Sequence, residues 1–202
     1  MDRLYLVAGL GNPGAEYRRT RHNAGFLAIE RFGELHSAQW KEQSKFRSRV
    51  ARIELGGCRV ILCEPQTFMN ASGEALVLLA EYHKVPSEHM LVVVDDADLP
   101  IGQVRMRSEG SSGGHHGLES IEKSLGTRHF PRLRVGIGRT DRELREITGH
   151  VLGRFSGEEA DLLEMVLDRC ARQIESYLSD GIQKAMSQFN GAVAAPDKKE
   201  LK

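Results

Sequence analysis

Short apolar runs alternate along the chain with longer stretches in which apolar residues recur every three or four positions. Leu4-Tyr-Leu-Val-Ala8 is unbroken and ends in glycine, the pattern of a strand buried on both faces. Phe26, Leu27, Ile29, Phe32 and Leu35 then fall at helical spacing and predict a helix over 23–37. Val50 to Glu54 and Val60 to Glu64 flank Leu55-Gly56-Gly57, which predicts a hairpin with a Gly-Gly turn, closed by Pro65. Ser72 to Lys84 is amphipathic, with Ser72 as the expected N-cap and Ala75, Leu76, Leu79 and Tyr82 on the buried stripe, and Val85-Pro86 stops it. Met90 to Val94 reads as an interior strand running straight into Asp95-Asp96-Ala97-Asp98-Leu99-Pro100. A short strand at Val104–Arg107, a flexible loop at Gly110–Gly117, a helix at Leu118–Leu125 and a strand at Leu133–Ile137 follow. A long amphipathic helix over Ser156–Leu178 and a shorter one over Gly181–Phe189 complete the pattern.

Strands alternating with helices predict a single three-layer α/β domain over residues 1–190, with a mixed, mostly parallel central sheet flanked by helices and an antiparallel hairpin near one edge. The polar segment 191–202 is expected to be disordered. Such a sheet gathers its loops on one rim, and that rim is expected to bring His22, Asn70, Asp95 and the glycine-rich segment together.

Composition narrows the function classes. At 202 residues and 40% hydrophobic content the chain can bury one core, and neither a repeat nor a linker divides it. Asp2 and Arg3 lead directly into the first strand, unlike a signal peptide, and no apolar run approaches the roughly 20 residues that cross a bilayer. A soluble, cytoplasmic protein without membrane contact is expected. Three cysteines without CxxC spacing suggest reduced packing residues, with neither a disulfide framework nor zinc. The formal charge is zero but unevenly spread. Arginines and lysines gather at 18–52 and 105–139, while 158–168 is acidic. A local basic face is therefore possible, solvated surface charge being the plainer reading.

The densest chemistry lies in Gly9-Leu-Gly-Asn-Pro-Gly-Ala-Glu-Tyr-Arg-Arg-Thr-Arg-His-Asn-Ala-Gly-Phe26. Its Gly9, Gly11 and Gly14 satisfy GxGxxG after a strand, the dinucleotide fingerprint. The fingerprint requires a helix opening at the second glycine and an acid ending the next strand; the polar stretch 15–21 supplies neither. The glycines are instead expected to shape a turn that aims the Asn12 amide into the rim cleft. His22, in the same loop, is the candidate general base, with the strand-end Asp95 orienting it and Asp96 and Asp98 as alternates whose plain role is turn capping. Asn70 precedes a helix, where asparagine is usually a cap, yet Asn12 and Asn70 together could hold a carbonyl and stabilise an oxyanion. No serine or cysteine sits in a nucleophile setting such as GxSxG, which makes activated water the expected nucleophile. A metal held by Asp95, Asp96 and Asp98, or by His115 and His116, is the chemical competitor, but no metal-ligand spacing supports it.

The segments GLGNPGAEY, TRHNAGF, PQTFMNASG, DDADLPIG, SSGGHHGL and LRVGIGR, in that order from Leu4 to about Phe189, resemble bacterial peptidyl-tRNA hydrolases. The resemblance implies hydrolysis of the ester between a peptide, or an N-blocked aminoacyl group, and the 3′ end of tRNA, which recycles tRNA released from stalled ribosomes. It implies His22 as catalytic base, Asp95 as its partner, and Asn12 and Asn70 as the amides holding peptide main chain and water. Tyr17, Phe68 and Met69 would wall the cleft. Gly114, His115, His116, Arg105, Arg107 and Arg134 would belong to the surface that meets the tRNA acceptor arm. No metal or other cofactor is implied, the partner is peptidyl-tRNA, and a monomer is expected. An RNA-binding relative without hydrolysis is the alternative, and its mark, erosion of catalytic positions, is missing at His22, Asp95, Asn12 and Asn70. One position departs from the family's usual Gly-Gly-His-Asn-Gly: here His116 replaces the asparagine, which predicts retained activity with altered pH dependence.

Overall fold

The computed structural model describes residues 3–138 and 147–193. In chain order the elements are β1 (Arg3–Gly9), α1 (Ala24–Leu35), β2 (Lys41–Gln43), β3 (Ser48–Leu55), β4 (Cys58–Pro65), α2 (Ser72–His83), β5 (Met90–Asp96), β6 (Gln103–Arg107), α3 (His116–Leu125), β7 (Arg132–Gly136), α4 (Ile147–Val151), α5 (Gly157–Asp180), α6 (Ile182–Phe189) and β8 (Gly191–Ala192). Short 3₁₀ turns at Arg21–Asn23 and Met69–Ala71 precede α1 and α2.

All eight strands form one sheet in the order β2-β3-β4-β1-β5-β7-β6-β8. The central four are parallel, and the strands outside them on both sides run antiparallel. The expected antiparallel hairpin is β3 and β4; a second antiparallel flank, at β6, follows from connection length. Six residues join β5 to β6, too few for the crossover a parallel partner needs.

Unbroken apolar runs become strands with two buried faces. Tyr5 and Val7 of β1 pack with Leu91 and Val93 of β5 against α1, α5 and α6, while Leu6 and Ala8 join Met90, Val92 and Val94 against α2 and α3. Three layers result, as the alternation predicts. The cysteines Cys58, Cys63 and Cys170 are free thiols buried in these cores.

Several boundaries differ from the sequence reading. Ser72 is the first residue of α2 rather than its cap, and its buried hydroxyl has no hydrogen-bond partner. The glycine-rich loop ends earlier than expected, because His115 caps α3 with its own ring nitrogen, accepting from the amides of Gly117 and Leu118. Ser156 caps α5 through a reciprocal capping box with Glu159. Gly191–Ala192 pair with Gln103 and Val104, so ordered chain continues past Asn190, and 194–202 lie outside the described residues. Among the described residues no helix is long and apolar enough to cross a membrane.

Part of the charge asymmetry along the chain is cancelled in space. The acids of α5 pair with arginines of the first loop and helix, Glu159 with Arg21 at 2.8 Å and Asp168 with Arg31 at 2.5 Å, with Glu164 also on Arg31. The acids of α5 therefore neutralise two arginines of the front segment, Arg21 and Arg31. Arg139 lies outside the described residues.

Candidate active site

Strand β1 pairs with β4 on one side and β5 on the other, so chain leaving β1 and chain leaving β5 depart in opposite directions. Open α/β sheets form a crevice at such a switch point, beyond the carboxyl ends of the strands. The loop after β1 supplies His22 and the end of β5 supplies Asp95.

Packing gives the glycines of that loop a purpose unrelated to phosphate. A Cβ on Gly9 would meet the Gly25 carbonyl oxygen, and one on Gly11 would come within 2.9 Å of the Phe26 ring. These glycines let α1 lie against the end of β1. Gly14 adds a turn at φ +117°, open only to a residue without a side chain. The turn is held from below by Asn23, a buried residue whose amide was not among the candidates: its Oδ1 accepts from the Asn12 amide at 2.9 Å and its Nδ2 donates to the Asn12 carbonyl at 3.0 Å.

Asn12 in turn accepts from the Met69 backbone amide at 2.9 Å through Oδ1. Because a backbone N–H can only donate, this fixes which end of the Asn12 side chain is oxygen. Nδ2 is left with no partner among the described residues, and Asn12 lines the cleft. Its two N–H donors are therefore open to an acceptor.

Asp95 is buried between two imidazoles. Its carboxylate receives Nδ1 of His22 at 3.0 Å to both oxygens and Nε2 of His115 at 2.9 Å. The tautomer of His115 is set by its cap, since Nδ1 accepts from two backbone amides and the proton must lie on Nε2, toward Asp95. Burial alone would raise the Asp95 pKa; the His115 and His22 rings outweigh it and hold the carboxyl well below the usual carboxylate range. An ionised Asp95 takes the Nδ1 proton of His22 in a hydrogen bond, which leaves His22 Nε2 as a lone-pair nitrogen. His22, Asp95 and His115 are also the cluster that could hold a metal ion, their ligand atoms lying within 4.8 Å of one another. An ion there would have to displace both imidazole protons already shared with Asp95.

The cleft is a cavity of about 320 Å³ lined by Asn12, His22, Asp95 and His115, with Val151 and Leu152 supplying apolar surface. Other candidates fall as follows. Asn70 and Phe68 are exposed in the turn before α2, Phe68 at 62%, on either side of Met69, and neither lines the cleft, so the expected convergence of Asn70 with His22 and Asp95 is not found. Met69 contributes its amide, while its side chain is buried in the core with Leu10 rather than walling the cleft. Tyr17 is half-buried and its carbonyl closes the turn to Thr20. Asp96 takes the capping role, accepting from the Asp98 amide at 2.9 Å and from Arg134 at 3.2 Å.

Arg134 also donates to the Ser111 and Ser112 carbonyls at 2.9 and 3.0 Å, so it braces the glycine-rich loop and lines the cleft with few donors left for a phosphate. The buried Arg132, not among the candidates, supports the same loop through the Gly110 and Ser111 carbonyls. Gly114 lines the cleft, and a Cβ there would meet nothing within 4 Å. Arg105 and Arg107 are exposed on β6 and form no ion pair among the described residues. His116 stands at the mouth, 74% exposed, with Nδ1 3.1 Å from Glu119. It touches neither Asp95 nor His22 through any hydrogen bond. A His116→Asn variant is expected to keep kcat/KM within about threefold, because the exposed ring is turned to Glu119, and the pH profiles of the two proteins test the dependence expected from the sequence. An unchanged profile down to about pH 5.5 would remove His116 from the chemistry altogether.

Residues 6–199 match the family described as Peptidyl-tRNA hydrolase. The chain belongs to the peptidyl-tRNA hydrolase family. Relatives of that name include one from Caldanaerobacter subterraneus subsp. tengcongensis, 45% identical over 93% of this chain and 100% of the relative, and one from Gloeobacter violaceus, 43% identical over 93% and 94%. Among solved structures, peptidyl-tRNA hydrolase from Acinetobacter baumannii superposes with a TM-score of 0.90 at 33% identity, covering 96% of this chain and 98% of that one. A complex of peptidyl-tRNA hydrolase with N-propanol superposes at 0.87 and 34% identity, covering 95% and 97%. Membership makes this protein a hydrolase of the peptidyl-tRNA type, as its motifs imply.

Proposed function

We propose that the protein cleaves the ester between the peptide and the 3′ end of tRNA by attack of a water molecule activated at His22. One arrangement carries this reading: Asp95 holds the Nδ1 proton of His22 while His115, locked by its cap, fills the other side of the carboxylate. The free Nε2 of His22 then takes a proton from water as the water oxygen bonds to the ester carbonyl carbon. General-base help of this kind contributes about 10² to 10⁴ in rate. Asn12 Nδ2 stabilises the charge that develops on the carbonyl oxygen, with Asn70 of the turn before α2 as the second amide. Collapse of the tetrahedral intermediate breaks the bond to the ribose 3′-oxygen, which receives the proton from His22. The products are a free peptide carboxylate and tRNA with an intact 3′-hydroxyl. An ester leaving group is good enough for so small an apparatus.

Hydrolysis of N-acetyl-aminoacyl-tRNA in ¹⁸O-labelled water tests this directly. One ¹⁸O in the released carboxylate and none in the tRNA is the expected result; label in the ribose, or no cleavage, would overturn it.

Arg105 and Arg107 supply the phosphate contacts in this reading, and the polar cleft the specificity for the ester end. Removing both as Arg105→Ala and Arg107→Ala should raise KM, leave kcat nearly unchanged, and flatten the slope of log KM against log salt by about one for each phosphate no longer neutralised. A slope equal to that of the unmodified protein would place the tRNA elsewhere. The reaction is proposed to run in the cytoplasm on a monomer.

A further inference from the structure

A second cavity of about 440 Å³ shares Asn12 with the cleft but is lined by neither His22 nor Asp95. Asn12, Arg18, Glu30, Arg49, Glu64 and Gln66 line it. Its polar groups are not explained by the reaction, nor fully by one another. Glu64, at 0% exposure, points its Oε2 at Arg49 Nη1, 2.7 Å away, while its Oε1 has no hydrogen-bond partner. Buried polar atoms are nearly always paired, so an orphaned carboxyl oxygen beside a cavity calls for an explanation. Arg49 uses only Nη1, toward Glu64 and, at 3.3 Å, Glu30; its guanidinium lies 5.2 Å from the Trp40 ring and is about a third exposed at 32%. A guanidinium carries five N–H donors, so most of those on Arg49 remain open. Arg18, exposed at the cavity mouth, forms no ion pair among the described residues.

We propose that this cavity is a subsite for an acidic side chain of the nascent peptide, on the residue next to the one bearing the ester, held by Arg18 and the open edge of Arg49. The proposal rests on the peptidyl-tRNA reading. Position follows from the shared wall: Asn12 lines both cavities, and an extended peptide advances about 3.3 to 3.6 Å per residue, so a chain whose ester sits at His22 passes Asn12 within a few residues. Chemistry follows from the donors. Among the charged groups that line the cavity, two guanidiniums face one ionised carboxylate, Glu30, as long as Glu64 keeps its proton; Glu42 acts on Glu64 from outside the lining. Burial first, then Glu30 of α1 and Glu42 of β2, push the Glu64 carboxyl up to about 8 against the pull of Arg49 on β3 and Arg18 in the loop. Below that pH the cavity carries surplus positive charge and donors; as pH rises through it, Glu64 ionises and cancels the surplus. Preference for an acidic side chain therefore weakens with alkali.

The test uses N-acetyl-tripeptidyl-tRNAs that differ only in carrying Glu, Gln or Lys next to the residue bearing the ester. At pH 7, kcat/KM for Glu should exceed that for Lys by roughly three- to tenfold, the size expected of one partly exposed charge-assisted contact, mostly through KM, with Gln between. The ratio should approach one above pH 8.5. Arg18→Ala, in an exposed loop, should collapse the ratio at pH 7, and Glu64→Gln, neutral at every pH, should preserve it at pH 9. Equal rates for Glu and Lys in the unmodified protein, or a ratio untouched by Arg18→Ala, would overturn the subsite. Failure to cleave any of the three would overturn the peptidyl-tRNA reading itself, a different outcome from cleavage without discrimination.

Discussion

Asp95→Asn is expected to lower kcat/KM by about 10³-fold or more, close to the effect of His22→Ala, while the protein stays folded. The size follows from proton bookkeeping between Asp95 and its two rings. The carboxylate accepts from His22 Nδ1 and from His115 Nε2. An asparagine keeps one accepting oxygen and replaces the other with an NH₂ donor. His115 cannot change tautomer without losing its cap on Gly117 and Leu118, so it retains the claim on the oxygen. The new NH₂ then faces His22, which is driven to carry its proton on Nε2 instead. A ring protonated at the nitrogen facing the water cannot accept the water's proton. Single-turnover cleavage of N-acetyl-aminoacyl-tRNA by the single variants and by the double variant checks this. The two losses should be far from additive, because both remove one functional unit. A loss below tenfold would show that His22 needs no oriented tautomer. Since Asp95 is held well below the usual carboxylate range, it stays ionised throughout the working pH range and does not set the acid limb of the wild-type profile. The sign for stability is the ordinary one for a depressed carboxylate: its contribution is present above the unfolded value of about 4 and is lost only as pH falls below that.

Two kinds of site information behaved differently in the sequence. His22, Asp95 and Asn12 were legible because each sits at the end of an apolar strand or in the loop that follows one, and strand ends at a switch point are where ligands collect. Structure brings those three together around one cleft. The supporting residues were not legible, because their roles depend on contacts between distant segments. Nothing in the local pattern marks Asn23 as the clamp on Asn12, eleven residues away. Histidine is a rare helix cap, so the dual use of His115 as cap and as second donor to Asp95 had no signal beyond its place between glycines and a helix. The unusual neighbour, His116, is the more conspicuous of the two in sequence, yet its ring turns outward to Glu119. Arg134 reads as a phosphate ligand because it is basic and near the glycine-rich loop; in space its donors meet carbonyls of that loop and Asp96. For the fold, long periodic segments such as α1, α5 and β5 were readable. Strand β2, with the sequence Lys-Glu-Gln, and the two-residue β8 have no apolar pattern and exist because a neighbouring strand offers an edge.

Gly25→Ala carries the largest expected cost to the fold itself. Gly25 lies in the first turn of α1 where that helix meets the ends of β1 and β5 with no side chain between them. A Cβ at this position would fall on the Val93 carbonyl oxygen and within 2.6 Å of both the amide and the carbonyl of Leu10. All of these atoms are backbone, and none can rotate away. Relief requires α1 to move off the sheet, opening the packing of Ala28, Ile29 and Phe32 against Val7 and Val93. Overpacking against flexible side chains costs about 1–3 kcal/mol, so a clash confined to backbone should reach at least about 3 kcal/mol, roughly 10 °C in Tm for a chain of this size. Activity should fall further than stability alone explains, because His22 lies three residues before Gly25 and shifts with the helix start. A displacement of about 1 Å at a catalytic base costs on the order of 10²-fold in rate. Gly157→Ala is the matched control: it also lies in the first turn of a helix, and a Cβ there meets nothing within 4 Å. Thermal unfolding and single-turnover rates for the two variants should separate sharply. If Gly25→Ala unfolds within about 2 °C of Gly157→Ala, the close approach of α1 to β1 and β5 is not what positions His22 against Asp95.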